Sequence, residues 1–98
     1  MNKNEICAAI NNRKLLSFNY ENLSRIVEPF TLGNSRKDNM ILSAYQIDGG
    51  AHRDTVPCWG LFNLDKISNL EVLSESFSAN REEYRRDDSR MHHIYCQI

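Results

Sequence analysis

The sequence predicts a mainly β domain: a small antiparallel, partly closed barrel with one N-terminal helix. Three observations carry this. Apolar and polar residues alternate in five or six short runs, no helix-length segment separates consecutive runs, and the one stretch with helical spacing lies at the N-terminus. Without intervening helices the strands cannot be joined by βαβ crossovers, so they must pair antiparallel. Curling the sheet toward closure also protects edges that a small flat sheet would expose.

The helix is expected over residues 3 to 13. Asn2 stands three residues before Glu5, a variant of the capping box, and Ile6, Ala9 and Ile10 follow at i, i+3, i+4 spacing. This apolar stripe is narrow, so the helix should lie across one end of a larger body. The period then changes to two. Leu16, Phe18 and Tyr20 mark a strand over 15–20, and a turn follows at Glu21, Asn22 and Leu23. The second strand, 24–32, contains Pro29, which lacks a ladder donor and therefore belongs at an edge or a bulge. After the polar loop 33–39 comes a strand over 40–47, stopped by Asp48, Gly49 and Gly50. A loop over 48–57 leads to a strand at 59–64, a tight turn at Asp65, Lys66 and Ile67, and a fifth strand near 70–77. Residues 81–90 hold four positive and four negative charges and read as a solvated connector, in which Glu82 would face Arg86 if it turned helical. Ile94, Cys96 and Ile98 alternate with polar neighbours, giving a last strand over 91–98.

A chain of 98 residues fits one domain, 1–98, with 41% apolar and 26% charged residues, ordinary values for a globular protein. No apolar run approaches the roughly 20 residues of a membrane span, and no apolar segment follows Lys3 and Glu5 as in a secretory signal. A cytoplasmic location without a membrane partner is therefore expected. Cys7, Cys58 and Cys96 are odd in number and widely spaced, and read as unpaired thiols. The net charge is -1, with six basic and four acidic residues in 1–39 against six and nine in 40–98. Anion binding would therefore need a local cluster of cations.

Chemistry-bearing patterns are few. His92 and His93 point to opposite faces of a strand, and Cys96 nearby adds no Cys-x-x-Cys pair, so no zinc site is expected. Cys58 and His52 lack a glycine-framed nucleophile motif, the four glycines form no phosphate loop, and Asp87 and Asp88 sit among balancing charges. Neither an enzyme nor a cofactor is expected. Trp59, alternating with Leu61, reads as a core residue.

Five runs in order carry a family resemblance: Ala9-Ile10, Leu16-Ser17-Phe18-Asn19-Tyr20, Arg25 to Leu32, Ile41-Leu42-Ser43-Ala44-Tyr45, and Leu61 to Ile67. The Arg-x-Val-x-Pro run at Arg25 and the Phe-x-Leu-Asp-Lys-Ile run at Phe62 are the most specific. Over roughly residues 6 to 77 the chain resembles a WYL domain. The resemblance implies a small SH3-like or Sm-like barrel behind a helix, of the kind found beside helix-turn-helix units in bacterial transcription regulators and thought to bind nucleic acid or a nucleotide-like effector. Met40, Ile41 and Leu42 stand where the family has Trp-Tyr-Leu, Gly60 and Asn63 stand where arginines are frequent, and Lys66 replaces another.

The resemblance assigns Arg25 to a ligand pocket, with a surface arginine paired with Glu28 or another carboxylate as the alternative. Lys66 and Arg53 would converge with Arg25 on an anion, or else be solvated charges. Tyr45 would stack a base, or else be a core or rim residue. The expected function is non-catalytic binding of a nucleotide or single-stranded nucleic acid; with no space for a helix-turn-helix in 98 residues, reading of duplex operator DNA is not expected. The alternative is a protein-interaction or self-association module, and a homodimer would suit either.

Overall fold

A computed structural model describes residues 2–51, 55–78 and 81–98. Helix α1 (Asn2–Asn12) precedes strands β1 (Lys14–Tyr20), β2 (Leu23–Ser35), β3 (Met40–Gly49) and β4 (Cys58–Asn63). A 3-10 turn (Leu64–Lys66) leads into β5 (Ser68–Ser76), and β6 (Met91–Gln97) comes last. All pairings are antiparallel, in the order β4-β3-β2-β1-β5, with β6 also on β2. The fold is the expected one: among the described residues there are six antiparallel strands, one N-terminal helix, and a sheet that is not closed, as in a partly closed barrel. No helix among the described residues is long and apolar enough to cross a membrane.

The strand β2 organises the sheet. One of its edges pairs with β3 over most of its length, whereas the other is divided between β1, at Leu23–Val27, and β6, at Thr31–Ser35. Pro29 falls in the gap between those two partners, where its missing N–H removes no ladder bond from either. Against β3 the register shifts between Pro29 and Thr31, so Phe30 is the extra residue of a bulge. The bulge breaks strict alternation: Val27 and Leu32 both face α1, while Ile26 and Phe30 face away from it. At the β6 crossing a Cβ on Gly33 would lie 2.3 Å from the His93 carbonyl oxygen, so only glycine lets the two backbones meet.

Two apolar clusters result. On the helix side Ile6, Ala9 and Ile10 pack onto a floor that includes Leu16, Phe18, Val27, Leu32, Leu42 and Phe62. The helix stops where Arg13 adopts a left-handed φ of 54° and donates its N–H to the Ile10 carbonyl. On the far side Leu15, Phe30 and Phe77 are buried, bordered by Tyr45, Trp59 and Tyr84. Trp59 is thus partly buried, at the margin of the second cluster.

One expectation needs correction and a second gains detail. Cys7 and Cys96 are joined in a disulfide, their Cα atoms 5.7 Å apart. Their separation of 89 residues hid this, because proximity arises only when α1 and β6 both dock on β2. Residues 81–90 are mostly exposed, as expected of a solvated connector, and are not helical, but the segment is tethered: Tyr84 packs on Phe30 with ring centroids 5.0 Å apart, and its hydroxyl donates to the Ile98 carbonyl at 2.7 Å. Their charges serve as anchors to the body. Alkylation in denaturant should therefore add one group per chain without reductant and three after reduction; three groups before reduction would contradict the bridge.

Candidate ligand-binding cleft

The β1–β2 hairpin closes through Glu21 and Asn22, both with left-handed φ, 52° and 64°. That two-residue turn matches the twist of paired strands. It also carries the Glu21 carboxylate back over the sheet, to 3.7 Å from the Arg25 guanidinium.

Arg25 is only 5% exposed. Its Nη1 donates to the Gln46 side-chain oxygen at 3.3 Å and its Nη2 to the Tyr20 carbonyl at 3.1 Å. The guanidinium lies 5.5 Å from the Tyr20 ring centroid and 5.8 Å from that of Phe62, within cation–π range of both. Its buried Nε has no hydrogen-bond partner among the described residues. An unsatisfied buried donor costs about 1 to 3 kcal/mol, so this arrangement is held against a penalty. The residue on which it depends is Gln46, whose amide nitrogen donates to the carbonyls of Asp48, 3.0 Å, and Gly50, 2.9 Å. Gln46 thereby ties down the end of β3 while its oxygen receives the arginine.

Arg25, Gln46, Tyr20, Phe62, Trp59 and Cys58 line a cleft of about 370 Å³. Gly60 belongs to its wall, and a Cβ there would meet the Phe62 ring at 2.7 Å. A second, polar depression adjoins it, lined by Asn19, Asn22, Ser24, Lys66 and Ser68. Tyr20 and Glu21 line both, so they form the partition between Arg25 and Lys66. The Tyr20 hydroxyl accepts the Asn63 N–H at 3.2 Å, and Asn63 caps the 3-10 turn that carries Lys66. Tyr20 therefore fixes the relative position of the two cations.

Arg25 and Lys66 are thus brought to neighbouring depressions. Tyr45 is not with them: it precedes Gln46 on β3 and so lies on the opposite face, and its ring lies 4.3 Å from the guanidinium carbon of Arg81. Glu28 pairs with Arg81 instead of Arg25. Arg53 lies outside the described residues, as does His52. Gln46 was missed by sequence reasoning, although its signal was available: it occupies an inward position in the series Leu42, Ala44, Gln46, where an amide needs a buried purpose. The anchors in 81–90 gave no such signal, because their partners lie on remote strands.

Those anchors include Glu83, which accepts the Trp59 indole N–H at 3.1 Å; within the segment itself Asp88 pairs with Arg90. The Trp59 hydrogen bond holds the Glu83 carboxyl below its usual range, and hydrogen bonding from Arg90 does the same for Asp88. Because both folded-state values are depressed, their contribution is present above the unfolded value and is lost as pH falls through the folded one. Trp59 emission should therefore stay constant from neutral pH down to the ordinary carboxylate range, about 4, and change only below it. A transition centred near neutral pH would contradict this anchoring. Comparison of the chain with family models, curated proteins and solved structures found no match.

Proposed function

We propose that this is a non-catalytic binding domain, and that the Arg25 cleft with the adjoining Lys66 depression holds a nucleotide-like ligand or a short single-stranded nucleic acid. The observation that carries the reading is a buried arginine with an orphan donor lining an aromatic cleft beside a second, lysine-bearing depression. Arginine offers a planar fork for anions, and aromatic rings offer stacking surfaces worth roughly 1 to 3 kcal/mol per base. In this reading the stacking surface belongs to Tyr20, on the wall of the cleft, rather than to Tyr45. Action in the cytoplasm is part of this proposal, a compartment in which disulfides such as Cys7–Cys96 are rare.

A second reading, self-association or protein interaction, is favoured by Leu61 and Val72. Each is 44% exposed, and they lie on β4 and β5, the strands at the two ends of the sheet order. Unpaired strand edges invite pairing with another chain.

Titration of labelled single-stranded oligonucleotide at several salt concentrations separates the two. With two cations engaged, log K should fall against log salt with a slope of about -1.4, from about -0.7 per phosphate. Lys66→Ala, an exposed position, should weaken binding and flatten the slope by about 0.7, while Arg86→Ala should leave both unchanged. Absence of binding at low salt, together with dimers in sedimentation, would transfer the function to the second reading.

A further inference from the structure

On the face opposite the cleft, we propose that Glu28 and Tyr45 form a receptor for a guanidinium group, occupied in cis by Arg81 and open to an arginine side chain of a peptide partner. The host residues are preset by strand pairing. Glu28 pairs with Tyr45 across β2 and β3, and Tyr45 pairs with Trp59 across β3 and β4, so the three form one row on the sheet. Trp59 meets the Tyr45 ring edge to face at 5.4 Å.

The chemistry of this row selects a guanidinium. Glu28 is a carboxylate only 5% exposed, and its two oxygens accept separately from Arg81 Nε at 2.8 Å and Nη2 at 2.7 Å. A planar fork satisfies both oxygens at once, which an ammonium cannot do. The same guanidinium lies over the Tyr45 ring, a cation–π contact. Glu83 at the Trp59 indole adds negative charge at the rim.

Host and guest differ in how they are held. Glu28 and Tyr45 belong to paired strands, whereas Arg81 is 39% exposed and begins a segment, 81–90, that contains neither helix nor strand. The guest can therefore leave while the sheet keeps its registry. A buried carboxylate left alone is costly, so the vacated site demands another cation. In the intact chain Arg81 competes at the high effective concentration of a tethered group, on the order of millimolar or above, which masks the site from a partner in trans. Displacement by an arginine-bearing peptide would free the segment that covers Phe30 and Trp59.

The test empties the site and offers it a guest. Methylguanidinium chloride is titrated into Arg81→Ala at constant ionic strength, with methylammonium chloride as comparison and Trp59, the only tryptophan, as the fluorescent reporter. Methylguanidinium should produce a saturating change, at least about tenfold tighter than methylammonium. Wild type, and Arg81→Ala combined with Glu28→Gln, should show no saturable response. If Arg81→Ala does not fold alone, methylguanidinium below denaturing concentrations should restore its circular dichroism, and methylammonium should not. Equal responses to the two cations, an unchanged response in the double variant, or no response or recovery would overturn the proposal.

Discussion

The bulge at Phe30 is the constraint on which the rest of the molecule depends. A regular strand of 13 residues would present Val27 and Leu32 to opposite faces; one extra residue between Pro29 and Thr31 puts both toward α1. It also separates the stretch that pairs with β1 from the stretch that pairs with β6. The helix-side placement of Leu32, whose partner on β6 is Cys96, follows from this irregularity. Proline is suited to the position because neither partner strand asks it for a hydrogen bond.

The two faces carry different chemistry. On the helix side the apolar floor ends at Arg25, a cation held by Gln46, the Tyr20 carbonyl and Glu21, with one donor unsatisfied. On the far side Glu28 is a buried anion satisfied by a bidentate arginine that comes from an irregular segment. Burying either charge costs several kcal/mol before its partners are counted. The two sites thus invert each other: one is a buried cation in an open cleft, the other a buried anion beneath a covering guanidinium.

Much of the fold was legible in the sequence because period-two alternation is local and strong in Leu16-Ser17-Phe18-Asn19-Tyr20 and in Met40 to Ile47. Even β6 was legible, since Ile94, Cys96 and Ile98 would otherwise form an exposed apolar strip. What could not be read was whatever depends on distant pairing. The disulfide requires the joint docking of the first helix and last strand, and the anchors of 81–90 require Glu28, Trp59 and Gln97 to line one side of the body. The candidate site was divided in the same way. Arg25 and Lys66 reach neighbouring depressions through the turn and cap chemistry around Tyr20, whereas Tyr45 falls on the other face because adjacent residues of a strand point apart.

The bulge can be examined by comparing deletion of Phe30 with Phe30→Ala in thermal unfolding followed by circular dichroism. The alanine variant removes the ring but keeps the residue count, and should lose about 3 to 5 kcal/mol while retaining a native-like sheet if it remains folded. Deletion removes the ring and also the extra residue, which shifts Leu32 off the helix-side face. The expected result is a markedly greater loss for the deletion, with no cooperative transition. A deletion variant that unfolds cooperatively at or above the temperature of Phe30→Ala would contradict the central role given to the bulge.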